Sequence, residues 1–411
     1  MKFKILNTIL PLKKMEYFSE KLTELKKKHL YRKPITTSFI SDNIVTTPSA
    51  SLQESSSDRD NPKKKLLSFC SNDYLGLANN RSVKKAAIRA VKKYGASSKS
   101  SRYITGNNEI YQDLEQKLAK FYDADDSIVF SSGYQSAIGT IPALAQKGDL
   151  IIADKLIHSC LIDGAKLSGA KLLRYSHNDI THLENLLKEN KDKYDKTLII
   201  TEEIFSMDGD LAPLNEIQEL AKENKALLLV DCAHSLYEAG LLRLGYSAPR
   251  NDHEGFEVIF LGTMSKSLGS FGGYVTGSSI IIDYLRNFAK SAIYTTALPP
   301  ATLAASLESL NIISKKNLAR KTLDNARYLC ELLKIPFKNS AIIIIEIGDV
   351  EKTLRIAKNL KEQGLIVSSI RPPTSPTARL RITVNTKHKK KEIESLARKL
   401  KDILKEENVS F

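Results

Sequence analysis

Between residues 127 and 263 short apolar runs alternate with stretches of helical periodicity, without an internal sequence repeat. Several of the runs stop at a polar residue. The runs are Ser127-Ile-Val-Phe130, Leu150-Ile-Ile-Ala153 before Asp154, Lys171-Leu-Leu-Arg174, Leu198-Ile-Ile-Thr201 before Glu202, Ala226-Leu-Leu-Leu-Val230 before Asp231, and Val258-Ile-Phe-Leu261 before a glycine-lined turn. Strands without polar alternation must be covered on both faces. Alternation with helices therefore predicts an α/β protein with a mostly parallel, doubly covered sheet. In such sheets ligands bind just past the carboxyl ends of the strands, where these polar residues stand.

The flanks read differently. Residues 16–31 predict a polar helix, and the Ser/Thr/Asp-rich stretch 36–65 predicts a loop, partly disordered. Order is expected from residue 66, with helices over 82–94 and 109–122 around a Gly/Ser-rich loop, 95–106. Past Leu298-Pro-Pro300 the expectation is one long helix over 301–327. Strands over 341–347, 365–370 and 379–384, a helix over 351–363 and a last amphipathic helix follow, which makes a small α+β unit. The expected organisation is thus an N-terminal arm (1–65), a large domain (66–300) and a small C-terminal domain (301–411). Residues 1–14 carry four lysines and no acid, and Met15-Glu-Tyr-Phe would make a sensible start, so this segment is read as an extension.

Composition removes several classes. The longest apolar run ends at Glu346, far short of the ~18 residues of a membrane span. The net charge of +15 raises nucleic acid as a partner. However, the basic residues are mostly lysines interleaved with acids along helices, without an aromatic-interleaved stripe. Cys70, Cys160, Cys232 and Cys330 form no C-x-x-C pair, so neither a metal site nor a disulfide framework is expected, and a reducing, cytoplasmic setting fits.

The chemistry concentrates at the strand ends. Lys266 sits on a small-residue turn after a buried strand, where desolvation lowers an amine's pKa towards nucleophilicity. Among 62 Lys and Arg residues an ordinary surface lysine is the competing reading. Ser131-Ser-Gly-Tyr134, between strand and helix, offers backbone N–H groups to an anion, or is a plain N-cap. Asp231 ends a strand and needs a partner there, either a helix N-terminus or a protonated ring nitrogen of a cofactor. His158 follows another strand end. Taken together, a phosphate cradle, a flat aromatic ring, a strand-end carboxylate and a lysine suit pyridoxal phosphate (PLP).

The motifs Ser71-Asn-Asp-Tyr-Leu-Gly-Leu77, Asp154-Lys-Leu-Ile-His158, Phe205-Ser-Met-Asp-Gly-Asp210, Asp231-Cys-Ala-His-Ser235, Gly262-Thr-Met-Ser-Lys266, Tyr294-Thr-Thr-Ala-Leu-Pro-Pro300 and Ala378-Arg-Leu-Arg-Ile382 extend over three-quarters of the chain. In them the chain resembles the α-oxoamine synthases, PLP enzymes of the aspartate-aminotransferase-like class (fold type I). The resemblance implies that Lys266 binds the cofactor covalently and later transfers the proton. Asp231 would pair with the pyridine nitrogen and His158 would stack on the ring. His234 and Ser206 would contact its O3′ side, and Ser132, Gly133, Tyr134 and Thr263 would hold the phosphate. Thr296 would reach the phosphate of a neighbouring subunit, which implies a homodimer with shared sites. Arg381 would take an amino-acid carboxylate, with Asn72, Arg371 and Arg32 as further substrate contacts. The implied substrates are L-alanine and a pimeloyl thioester carried by coenzyme A or acyl carrier protein, with no nucleic-acid or membrane partner and no metal. Four positions depart from the family's usual pattern: Cys232 for an acid, Tyr111 for a histidine, Glu203 for a glycine and Ala137 for an asparagine. Competing readings are another α-oxoamine synthase (2-amino-3-ketobutyrate ligase, 5-aminolevulinate synthase, serine palmitoyltransferase or a long-chain amino-ketone synthase), a catalytically silent binding protein and an aminotransferase.

Overall fold

The structure is a computed structural model describing residues 12–34, 36–47, 64–235 and 256–409. The six expected runs and one further strand form a sheet of seven: β4 (Asp126–Phe130), β5 (Leu150–Asp154), β6 (Lys171–Tyr175), β7 (Thr197–Glu202), β8 (Leu227–Asp231), β9 (Val258–Thr263) and β10 (Gly273–Gly277). Their order is β4-β10-β9-β8-β7-β5-β6. Strands β9, β8, β7, β5 and β6 pair in parallel, while β10 runs antiparallel to both β9 and β4. Two reversals restore the direction, so β4 points the same way as β9. The carboxyl ends of β4, β5, β7, β8 and β9 therefore share one edge of the sheet. Consecutive side chains in the inner strands are all buried, so both faces are covered, as continuous apolar runs require.

Strand β10 escapes a reading by apolar runs because it is Gly-Tyr-Val-Thr-Gly. Its glycine is structural: a Cβ on Gly273 would lie 2.4 Å from the Ser132 carbonyl oxygen. The close approach of β10 to the turn after β4 thus needs a residue without a side chain.

Two smaller sheets flank this one. Before them in the chain, β1 (Ser38–Phe39), β2 (Ile44–Thr47) and β3 (Lys64–Ser68) form a meander. This corrects the expected loop over 36–65 for residues 38–39, 44–47 and 64–65. Burial of Val45, Thr46, Thr47 and Leu66 stabilises strands that their polar composition hides. The expectation for 48–63, and that for residues 1–11, lie outside the described residues. The strands β11 (Ile342–Gly348), β12 (Leu365–Ile366), β13 (Ser368–Ile370) and β14 (Ala378–Thr383) do not make one sheet: β12 joins β3 in parallel, whereas β13 and β11 flank β14. The expected strand 365–370 is thus split at Val367 between two sheets. The long helix expected over 301–327 is also two, Pro300–Ile313 and Leu318–Leu333, and Asn317 caps the second by accepting from Arg320 N. The uninterrupted apolar spacing conceals the break, because Ser314 and Asn317 mark it only through side-chain-to-backbone bonds.

His388 joins the last sheet to the N-terminal one. It stacks on Phe69 at 4.2 Å between ring centroids, Nε2 donates to the Ser68 carbonyl at 2.9 Å, and Nδ1 accepts from Asn385 N at 3.0 Å. A donor on one side and an acceptor on the other fit only the neutral ring. Burial pulls its pKa down to about 4. The unfolded chain takes up the proton near the ordinary histidine value of about 6.5, so it binds more protons than the folded chain between about pH 6.5 and 4. Stability should be intact above that window and fall by about 3 kcal/mol across it. Urea unfolding at pH 7, 5.5 and 4 should show this loss, and His388→Asn should flatten the contribution.

Candidate active site

The shared strand edge closes around a cavity of about 220 Å³. Turns after five strands line it: Ser132, Gly133 and Tyr134 after β4, His158 after β5, Ser206 after β7, Asp231 and His234 at and after β8, and Thr263 and Lys266 at and after β9. A larger hollow of about 290 Å³ beside β11 is bordered mainly by isoleucines and Phe337, without a convergent titratable set.

Lys266 Nζ lies 2.9 Å from His234 Nε2, and His234 Nδ1 lies 2.7 Å from the Tyr74 hydroxyl. That hydroxyl also donates to Asn72 Oδ1 at 3.1 Å and accepts from Arg381 Nη2 at 3.2 Å. The Tyr74 hydroxyl carries one proton. If it goes to Asn72, the His234 ring donates from Nδ1, and Nε2 accepts from Lys266. If it goes to His234, Nε2 donates to a neutral Lys266. The tautomer of His234 is therefore tied to the proton count on the lysine. Burial lowers the pKa of Lys266, with the Asp231 and Glu202 charges opposing. Burial also takes His234 well below its usual range, and the Lys266 and Arg381 charges act in the same direction. Burial raises Asp231, opposed by Lys266.

On the far wall, Ser132 begins the helix Gly133–Leu144 as its N-cap, with Oγ accepting from Gln135 N at 3.2 Å. A Cβ on Gly133 would stand 3.1 Å from Thr263 Cβ, so the small residue keeps this helix start open beside Thr263. The Thr263 hydroxyl is held at 2.7 Å from Ser265 Oγ and donates to Gly272 O at 3.0 Å. Backbone N–H groups at a helix start flanked by hydroxyls form a cradle for a dianionic phosphate. Asp231 stands 4% exposed, with Oδ1 accepting from Ala233 N at 2.9 Å. A carboxylate so buried is suited to a cationic ring nitrogen. The His158 ring is oriented by its Nδ1, which accepts from Cys160 N at 3.3 Å. The residues present fit PLP.

The arginines expected to bind substrate, Arg381 on β14 among them, lie outside the cavity lining. Arg379 and Arg381, two apart, share one face of the strand. Arg379 is paired with Asp208 at 2.6 Å and Glu346 at 2.8 Å. Arg381 is 5% exposed and has no carboxylate partner among the described residues. Its Nε donates to Ser206 O at 2.7 Å, and Nη1 lies 3.4 Å from Asn72 Oδ1. Arg32 donates to the Thr374 hydroxyl at 2.6 Å and Arg371 to Tyr31 O at 3.0 Å. Burial and the Arg32 charge lower the Arg371 pKa, and its Nε is buried without a partner. Thr296 is exposed and does not line the cavity.

Reading strand ends for cofactor chemistry passed over Glu202 and Tyr74. Glu202 is the residue straight after an expected strand, which was its only signal. It is buried, and it accepts from His158 N at 2.6 Å and Ser206 N at 3.2 Å. Burial and the Asp231 charge raise its pKa well above the carboxylate range. Tyr74 lies within the Ser71–Leu77 motif, but nothing local shows that it will bridge His234 to Arg381.

The departures have local partners. Tyr111 accepts from Leu298 N at 2.6 Å under the Arg102 guanidinium, and buried Ala137 packs near Gly164. Cys232 Sγ donates to Val230 O at 3.8 Å, and burial pushes the Glu203 carboxyl up to about 7.

Residues 64–400 match the model of the aminotransferase class I and II family. The chain belongs to that family and, within it, to the α-oxoamine synthases. The 8-amino-7-oxononanoate synthase of Maricaulis maris is 41% identical over 345 residues, 83% of this chain and 87% of that protein. Among solved structures, the 8-amino-7-oxononanoate synthase of Francisella tularensis has a TM-score of 0.70 at 29% identity, covering 84% of this chain and 99% of its own. A serine palmitoyltransferase from S. paucimobilis with bound PLP has a TM-score of 0.83 at 26% identity, covering 96% and 98%.

Tyr74→Phe leaves His234 Nδ1 and Arg381 Nη2 without a shared partner. It should destabilise the fold by about 1–3 kcal/mol, the usual cost of orphaned buried polar groups, measured by denaturant unfolding.

Proposed function

We propose that this chain is a PLP-dependent acyltransferase that condenses L-alanine with a pimeloyl thioester. The products are 8-amino-7-oxononanoate, a biotin precursor, with carbon dioxide and the free thiol. The observation that carries the reading is the contrast on β14. Arg379 has its carboxylates, whereas Arg381 is equally buried, lacks one, and hydrogen-bonds the Tyr74 hydroxyl that His234 shares beside Lys266. A buried guanidinium without a counter-charge is costly, and an α-amino-acid carboxylate would satisfy it with bidentate geometry.

Bound PLP supplies an aldehyde that condenses with amines and a protonated ring that withdraws electrons from a bond being broken. Ser132, Gly133, Tyr134 and Thr263 are assigned to its phosphate, Asp231 to its ring nitrogen, His158 to its face, and His234 and Ser206 to the side facing Arg381. Lys266, with its lowered pKa, can release its proton within the site and take up the α-proton of the substrate. His234 follows that change by switching tautomer. Arg381 fixes the carboxylate and so decides which α-bond stands where the ring can weaken it. Arg32 and Arg371, close together and without carboxylate partners among the described residues, are assigned to the anionic end of the acyl substrate.

We assign Thr296 to a second subunit's phosphate cradle and the working form to a homodimer. Supporting this, Thr296 lies on a surface stretch beside Tyr294 and Ile104, apolar side chains that are 80% and 76% exposed. Ser101 Oγ donates to Ile293 O and Ala297 N to Ser100 O, which places the two stretches side by side. The net charge of +15 suits an acidic acyl carrier protein as thioester donor. Among the described residues no helix is long and apolar enough to cross a membrane. A cytoplasmic location fits a chain with four unpaired thiols.

Turnover of alanine, glycine and serine against pimeloyl, acetyl and palmitoyl thioesters tests the substrate assignment. Alanine with the pimeloyl thioester should be preferred. Preference for serine with palmitoyl thioester would move the chain towards its serine palmitoyltransferase neighbours. Lys266→Ala should abolish turnover, and Asp231→Asn should lower kcat by about 10³, since ring protonation is lost. Near-normal activity in either variant would refute the role given to that residue.

A further inference from the structure

Outside the cavity, among the described residues, a cluster of titratable groups around His177 is unused by the chemistry. His177, just past β6, lies between two carboxylates. Its Nδ1 is 3.1 and 3.2 Å from the two oxygens of Asp154, and its Nε2 is 3.0 Å from Asp210 Oδ2. Asn178 Nδ2 also lies 3.4 Å from Nε2, but it donates to Leu211 O at 3.1 Å, and a carboxylate stands closer to each ring nitrogen, so the ring donates twice and is an imidazolium. Burial alone would lower its pKa, but the bonds to Asp154 and Asp210 push it up to about 10. The other charges nearby are Arg174, which donates to Asp154 O, and Lys338, which faces Asp210.

Each carboxylate orders a turn that reaches the cavity. Asp154 is wholly buried. Its Oδ1 accepts from Leu156 N at 2.7 Å and its backbone carbonyl from Ile157 N, fixing the turn that ends in His158. Asp210 closes the loop 205–210, where Phe205 N donates to Asp210 O at 2.9 Å. The His177 ring also packs edge-on against Phe205, at 4.4 Å and 88°. That loop presents the Ser206 carbonyl to Arg381 Nε, and the Met207 carbonyl and Asp208 carboxylate to Arg379.

We propose that the Asp154–His177–Asp210 clamp sets the position of Arg381 relative to the cofactor face of the cavity, which makes His177 a positioning residue for recognition of the amino-acid carboxylate. The clamp ties the turn before His158 to the loop that holds both β14 arginines. Without it, two turns that each support one wall of the site move independently. The proposal rests on the reading of Arg381 as the carboxylate site.

The test uses PLP-loaded enzyme carrying His177→Gln, Asp210→Asn, or both. The KM and the equilibrium dissociation constant for alanine should rise about tenfold in each single variant, with PLP content and the KM for the thioester within about twofold of wild type. The double variant should match the single ones, since all break one clamp. Unchanged alanine affinity with a lower melting temperature would overturn the proposal, as would effects that multiply in the double variant. A second readout needs no substrate: amide hydrogen exchange at residues 156–158 and 205–210 should accelerate together in either variant. Unchanged exchange there overturns the clamp even if the functional reading stands. Wild-type protein that neither binds nor turns over alanine fails the functional reading alone, while joint acceleration would still support the clamp.

Discussion

The structure depends on burying several charged groups together at one sheet edge. Lys266, Asp231 and Glu202 all stand where water is largely excluded, and each is tolerable only because the others and the backbone compensate. The sheet makes this possible. Strands buried on both faces hold their carboxyl ends rigidly, and the double reversal through β10 brings β4 to the same edge as β5, β7, β8 and β9. Desolvation then shifts the lysine down and the carboxylates up, so the groups exchange protons readily.

Arg379 and Arg381, on the small sheet that carries β14, show how charge is apportioned. They share a strand, a face and a degree of burial, yet among the described residues only Arg379 has carboxylate partners. A fold selected for stability alone would pair both. The open guanidinium is the group we assign to the substrate's carboxylate.

Much of this was legible in the sequence for one reason: it is local. An apolar run that stops at Asp154, Asp231 or the turn before Lys266 encodes both the strand and the side chain it delivers, so the central sheet and most of the cavity wall could be read in order. What was not legible depends on distant partners. Strand β10 is half glycine and polar residue because Ser132 crowds it. β2 looks like a loop because its burial comes from elsewhere in the chain. Residues 365–370 look like one strand because the choice between two sheets at Val367 is tertiary. Tyr74 and Glu202 carry no local mark of their contacts, which lie well over a hundred residues away for Tyr74 (His234 and Arg381) and 44 for Glu202 (His158).

The split at Val367 has a mechanical meaning. On one side of it, Leu365 and Ile366 are stitched to β3; on the other, Ser368 to Ile370 are stitched to β14, which bears Arg381. Arg371 follows directly, and Arg32 leans on Thr374 nearby. Val367 thus joins the N-terminal meander to the strand that bears Arg381, and the two sheets are stitched again where Thr383 N donates to Phe69 O. The cations assigned to the two ends of the reaction, the amino acid and the acyl tail, therefore stand on one connected framework rather than on separate fingers.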